Sequence, residues 1–144
     1  MQIQEIPIQQ VLVIRQEVMW PDKDLDFVKL AGDETAMHLG LIDEGQLKSV
    51  ISLFQENQSL QFRKFATLVS EQGKGYGSLL LKHVFEQFSQ ADVKKIWCNA
   101  RVSKVQFYEK FGMKIVGEAF LKNGIEYVKM ERRMSHISSE SSPM

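Results

Sequence analysis

Between residues 60 and 88 the chain changes character twice, and those changes limit the folds open to it more than any other feature. Residues 60–69 read as a β-strand, with Phe62, Phe65, Thr67 and Val69 among them. Gln72, Gly73, Lys74, Gly75, Tyr76 and Gly77 then place glycine at three alternate positions. From Ser78 onward, Leu80, Leu81, Val84, Phe85 and Phe88 recur at the spacing of one helix face. Glycine tolerates positive φ and lets a ligand approach the backbone. The first N–H groups of a helix lack intrahelical partners and sit at the positive end of its dipole. A strand, a glycine-rich turn and a helix start therefore make a ready site for a phosphate or pyrophosphate.

The rest of the chain has room for one globular domain. Its 144 residues are 44% hydrophobic and 25% charged, enough to bury a core. Lysine plus arginine and aspartate plus glutamate both number 18, and this balance argues against a general nucleic-acid binder. One cysteine, Cys98, rules out an intrachain disulfide framework and supplies no metal-ligand cluster. It fits a reducing cytoplasm. No basic leader precedes a long apolar run at the start, and no apolar run is long enough for a membrane span, so neither a signal peptide nor a membrane anchor is expected. Residues 135–144, serine-rich and polar, read as a disordered tail behind a domain of residues 1–134.

The pattern predicts a strand over 1–6 and a helix from Pro7 to Trp20, with Arg15 in step with Val11, Leu12, Val18 and Met19. Residues 22–33 read as a loop or short helix. Strands follow over 36–43 and 46–55, joined at Asp43, Glu44 and Gly45. After the 78–90 helix come a strand over 93–98, a short helix over 103–111 with Ser103 as N-cap and Gly112 just past its end, and closing strands over 113–118 and 124–131. Strands first and βα units later define an α/β protein with a mixed sheet.

Two segments carry a resemblance. Gln72-Gly73-Lys74-Gly75-Tyr76-Gly77 is similar to the pyrophosphate loop Arg/Gln-Gly-x-Gly-x-Gly/Ala of the GNAT family of acyl-CoA-dependent N-acyltransferases. Phe107-Tyr108, with Gly112-Met113 after them, resembles that family's Phe-Tyr-x-x-x-Gly-Phe element, Met113 replacing phenylalanine, and begins 35 residues beyond Gln72. Arg101, Lys104 and Val69 depart from the residues common there. A Gly-x-Gly-x-x-Gly dinucleotide loop or a P-loop would need other spacings.

The resemblance implies a GNAT fold that takes acetyl-CoA as co-substrate without a metal. The N–H groups from Gln72, Gly73, Lys74, Gly75, Tyr76, Gly77 and Ser78 would cradle the pyrophosphate. Backbone at Ala66, Thr67 and Leu68 would pair with the pantetheine arm, on a strand splayed from its neighbour, and Asn99 and Phe107 would also contact the cofactor. Tyr108 is the expected catalytic acid, because a phenol with an ordinary pKa near 10 is protonated at neutral pH and can donate to a departing thiolate.

The general base is left open among His38, the Asp22/Asp24/Asp26 loop and an ordered water, since Arg63 and Lys64 stand where many relatives keep an acid. Arg15 reads as the partner of a nearby carboxylate rather than a substrate ligand. Cys98 reads as a small core residue. The expected activity is acetyl transfer to a primary amine of a small-molecule or peptide acceptor by direct attack, with neither nucleic acid nor membrane as partner and homodimerisation left open. The alternative is a GNAT-like acyl-CoA sensor or scaffold without turnover.

Overall fold

The computed structural model describes residues 1–89 and 92–134, and the tail expected over 135–144 lies outside the described residues. The elements run β1 (Gln2–Glu5), α1 (Ile8–Met19), β2 (Met37–Asp43), β3 (Gln46–Glu56), β4 (Ser59–Thr67), α2 (Tyr76–Gln87), β5 (Lys95–Arg101), α3 (Val105–Glu109), β6 (Lys114–Ile115), β7 (Phe120–Lys122) and β8 (Ile125–Arg133). This is the mixed α/β organisation that the pattern predicts. Contacts divide the chain into two compact units: Met1–Phe54 with Phe62–Val84, and Gln55–Gln61 with the described residues from Phe85 onward. Strand β4 and helix α2 each run through both.

In the first unit β1, β2 and β3 pair antiparallel in sequence order, from Gln2↔Ile42 and Met37↔Leu53 down to Asp43↔Gln46. Glu44 and Gly45 both take positive φ, 54° and 72°, as the two-residue turn of a β-hairpin requires. Pro7 caps α1, its fixed φ of −66° setting up the first turn, and Trp20 ends it ahead of Pro21. The apolar stripe of α1 lies on the sheet: Val11 and Ile14 join Ile6, Val50, Ala66 and Leu68 in one buried cluster. Residues 22–33 contain a short 3₁₀ turn, Leu25–Val28, capped by the Asp24 carboxylate, which accepts from the Phe27 N–H at 3.0 Å.

In the second unit β5 and β8 pair antiparallel along their whole length, Lys95↔Arg133 to Arg101↔Tyr127. Short β6 and β7 also pair with β8. Strand β5 runs three residues further than the 93–98 pattern predicts, so Asn99, Ala100 and Arg101 are strand residues. The strand expected over 113–118 shrinks to Lys114–Ile115, and β7 appears where no strand was expected. Ser103 is not the N-cap of α3. It lies inside a 3₁₀ turn, Val102–Lys104, that precedes the helix, and no side chain caps either element. Gly112 does close the helix, with φ at 82° and its N–H on Glu109 C=O at 3.0 Å.

Candidate functional site

The glycine segment folds as a left-handed turn running into a helix. Gly73 and Gly75 have φ of 83° and 89°, and a Cβ built on either would meet nothing within 4 Å. Both positions face open space, while their backbone conformation penalises any other residue. Helix α2 starts at Tyr76, two residues earlier than the pattern predicts, so Tyr76, Gly77 and Ser78 form its first turn. The first bond closing that turn is Leu79 N–H to Gly75 C=O at 3.1 Å, and the N–H groups of Tyr76, Gly77 and Ser78 precede it. Gly77 is small for a different reason. A Cβ there would lie 3.3 Å from the Phe65 ring and 3.4 Å from Thr67 Oγ1, so the helix start packs directly on β4.

A buried polar network holds this turn from below. Lys48, 3% exposed, reaches Glu71 Oε1 at 3.1 Å, Gln46 Oε1 at 3.0 Å and Glu44 Oε1 at 3.4 Å, and lies over the Tyr76 ring at 5.9 Å. Burial alone would lower the pKa of Lys48, but Glu71 and Glu44 outweigh it and hold the ammonium above its ordinary value. Lys74 bonds the same Glu71 oxygen at 3.0 Å, and the two lysines hold that carboxyl below the usual range, Lys74 contributing most. Tyr76 donates its hydroxyl to Asp43 Oδ2 at 2.8 Å, which pushes the phenol up and Asp43 down. None of these partners was legible in the sequence. The one available sign was a lysine within the apolar run of β3, between Leu47 and Ser49 in the chain.

Strand β4 approaches the turn through Ala66, Thr67 and Leu68. Its parallel ladder with β5 covers Ser59↔Lys95 to Gln61↔Trp97 and ends there, although β4 itself continues to Thr67. Lys64, with φ at 54°, breaks the extended geometry beyond that point. Ser49 donates to Ala66 C=O at 3.1 Å and meets Thr67 Oγ1 at 2.9 Å, and Gln72 Nε2 donates to Thr67 C=O at 3.0 Å. Leu68 gives its N–H to Lys48 C=O and accepts from the Glu71 N–H, both at 2.9 Å. The carbonyls of Ala66, Thr67 and Leu68 thus each accept one of these bonds and have a second lone pair, while the Leu68 N–H is engaged.

In the second unit, Phe107 and Tyr108 lie on α3 and Asn99 is an exposed residue of β5, on the strand face opposite buried Ile96, Cys98 and Ala100. The Phe107 ring meets Tyr108 edge-on at 5.2 Å and Phe111 at 5.3 Å. Phe111 stacks on Phe85 at 6.2 Å, and Arg132 lies over Phe85 at 4.8 Å while donating to Phe111 C=O at 2.9 Å. Burial pushes the Tyr108 hydroxyl well above its ordinary pKa; the Cys98 thiol adds to the rise and Arg101 opposes it. Burial also raises the Cys98 thiol to about 12, which leaves it protonated and unsuited to nucleophilic attack.

Of the base candidates, His38 has both ring nitrogens engaged. Its Nε2 donates to Asp33 C=O at 2.8 Å, and its Nδ1 faces Ser52 Oγ at 2.7 Å. Ser52 Oγ accepts from Arg15 Nη2 at 2.9 Å, so the hydroxyl proton points to Nδ1 and the ring has no lone pair left for a substrate. Arg15, wholly buried, forms the expected carboxylate pair: Nη1 and Nη2 each reach an Asp33 oxygen at 2.9 Å, and Nη1 also donates to Val28 C=O. Among the described residues no group of three His, Cys, Asp or Glu side chains is placed to hold a metal, and no helix is long and apolar enough to cross a membrane.

The mixed α/β fold, with the family match and the relative that follow, makes the chain an acyltransferase. Residues 24–134 match the model of the acetyltransferase (GNAT) domain, and the chain belongs to that family. It is 30% identical to the uncharacterized N-acetyltransferase YitI of Bacillus subtilis, over 87% of this chain and 90% of that protein. The same fold is seen in the ribosomal-protein-S18-alanine N-acetyltransferase of Escherichia coli, with a TM-score of 0.79 at 15% identity over 99% of both chains. It also occurs in a GNAT acetyltransferase of Elizabethkingia anophelis solved with acetyl-CoA bound, with a TM-score of 0.70 at 16% identity over 92% of this chain and 97% of that one.

Proposed function

We propose that residues 1–134 act as one catalytic domain that moves acetyl from acetyl-CoA to a primary amine by direct attack. The reaction forms an amide C–N bond, breaks the thioester C–S bond and leaves a thiolate to be protonated. The observation that carries the reading is the open space above left-handed Gly73 and Gly75, directly ahead of the unpaired N–H groups of α2. Phosphate oxygens suit such donors, and a side chain at either glycine would fill the space they need.

In this reading Gln72, Gly73, Lys74, Gly75, Tyr76, Gly77 and Ser78 bind the pyrophosphate. Backbone groups of Ala66, Thr67 and Leu68, whose carbonyls each have a second lone pair, pair with the pantetheine arm. Asn99 and Phe107 contact the cofactor, and Tyr108 gives its proton to the departing sulfur. Its raised pKa keeps that proton available throughout the neutral range. With His38 locked into the Asp33–Ser52 network, an ordered water or an aspartate of the 22–26 loop takes the proton from the amine.

The test is a thermal shift with acetyl-CoA followed by thiol release with a panel of amines. Acetyl-CoA at ~100 times its dissociation constant stabilises the fold by about 2.7 kcal/mol. Amine-dependent thiol release then establishes the transfer. Absence of any stabilisation at saturating acetyl-CoA overturns the reading.

A further inference from the structure

Arg63 is set apart from the other charged side chains of its unit. It lies on β4, two residues beyond the end of the β4–β5 ladder and three before Ala66. The residue is half-buried, and its guanidinium lies over the Phe54 ring at 5.9 Å. Left-handed Gly32 backs the same ring, since a Cβ there would be 3.7 Å from Phe54 Cδ2 and Cε2. Among the described residues no carboxylate pairs with Arg63 and no acceptor meets its N–H donors. The carboxylate that it senses, Asp33, already gives both oxygens to Arg15. Burial first, and then the positive charge of Arg15, draw the Arg63 guanidinium below its ordinary pKa, with Asp33 offsetting only part.

Half-buried and without a counter-ion, the Arg63 guanidinium has donors that still reach solvent, and the partner such a group takes best is a carboxylate or phosphate that accepts a fork-shaped pair of bonds. We infer that Arg63 binds a carboxylate carried by the acceptor, so that the preferred acceptors are small primary amines bearing a carboxylate group. The inference rests on the acetyl-transfer reading above. On that reading the pantetheine arm runs along Ala66, and Arg63, three residues away across left-handed Lys64, lies at most about 10 Å along the strand from it, within the reach of an amino acid bound at the end of that arm. Phe54 offers an apolar face for the carbon chain between the two groups. The Arg15–Asp33 pair is neutral as a unit and supplies no competing anion. A polyamine would bring a second positive charge toward Arg63 and is disfavoured by like-charge repulsion.

The test compares matched acceptors that differ only in the carboxylate: 3-aminopropanoate with ethylamine, 4-aminobutanoate with propylamine, and 6-aminohexanoate with pentylamine, with spermidine as the cationic control. Thiol release gives kcat/KM for each, and a thermal shift with acetyl-CoA confirms that every variant is folded and takes the cofactor. At least one acid is expected to exceed its neutral counterpart by about tenfold. Arg63→Met should collapse that ratio to about one, and Arg63→Lys should restore part of it. A wild type that favours the neutral amines or spermidine overturns the inference, as does an Arg63→Met variant that keeps the ratio. Either result leaves acetyl transfer intact. Failure of acetyl-CoA to stabilise the wild type strikes the acetyl-transfer reading itself, and this inference falls with it.

Discussion

The two units of the chain are built from different chemistry. Arg15, Asp33, His38, Lys48, Ser49 and Ser52, the buried polar and charged residues, all belong to the unit that carries the glycine turn. The unit that carries Tyr108 is filled instead by Phe85, Phe88, Cys98, Met113, Val128 and Met130, with the Phe107–Phe111 rings beside them. On the acetyl-transfer reading, the difference follows from what each is proposed to hold. A cradle of backbone N–H groups works only if a turn with two left-handed residues stays in one shape, and hydrogen bonds with fixed direction, such as Lys48–Glu71 and Tyr76–Asp43, impose that shape. A proton donor needs a dry setting that keeps its proton in place, and packed rings with a buried thiol supply it.

The sharpest way to break this contrast is to remove one member of the charged network. Asp33→Ala leaves Arg15 buried without its bidentate partner and should cost about 3–5 kcal/mol of stability in urea denaturation. A loss below 1 kcal/mol would mean that the polar network does not hold its unit. Tyr108→Phe tests the other side. It should lower kcat by about 100-fold while acetyl-CoA still stabilises the protein, because the ring packing survives and only the proton is lost.

A smaller effect is expected from Lys48→Met, which removes the link between β3 and Glu71. The KM for acetyl-CoA should rise about tenfold, the scale of one charge-assisted hydrogen bond, with kcat changing far less. Equal losses in both parameters would place Lys48 in the chemical step instead.

Acidity separates the two units more gently. The pKa of Asp33 is held down in the folded state although burial opposes it, because the hydrogen bond from Arg15 and the Leu30 N–H favour the charged form. Its contribution is therefore fully present above the ordinary carboxylate pKa near 3.9 and is lost as pH falls through the lower folded value. Hydrogen exchange under acid should open amides near Asp33 before those of β5 and β8. At the alkaline end, the raised pKa of Tyr108 means that kcat shows no falling limb from this group up to about pH 10.

Much of this was legible in the sequence. The order of elements, the glycine turn, the hairpin at Glu44-Gly45 and the close of α3 at Gly112 follow from local signals that act within a few residues. Asn123-Gly124 was a signal of the same kind and went unread. Both residues take positive φ, 53° and 76°, and they make the tight turn that creates β7 opposite β8. The polar networks lay beyond the sequence for a physical reason. Lys48 meets Glu71, and Tyr76 meets Asp43, only after strands distant in the chain have paired, and no periodicity encodes such a meeting. His38 shows the converse. Its residue type advertised a base, and its neighbours turned it into a link between Asp33 and Ser52.

The side chains that brace the glycine turn have a consequence for ionic strength. Asp43, Glu44 and Glu71 set three negative charges against the three of Lys48, Lys74 and the Met1 ammonium, which pairs with Asp43 at 3.6 Å. These bracing groups therefore bring no surplus positive charge to draw a polyanion from a distance, and on the acetyl-transfer reading the turn's attraction for phosphate comes from amide dipoles that act only at contact. Capture of the co-substrate should accordingly be slow by the standard of electrostatically steered encounters, and its rate nearly indifferent to added salt.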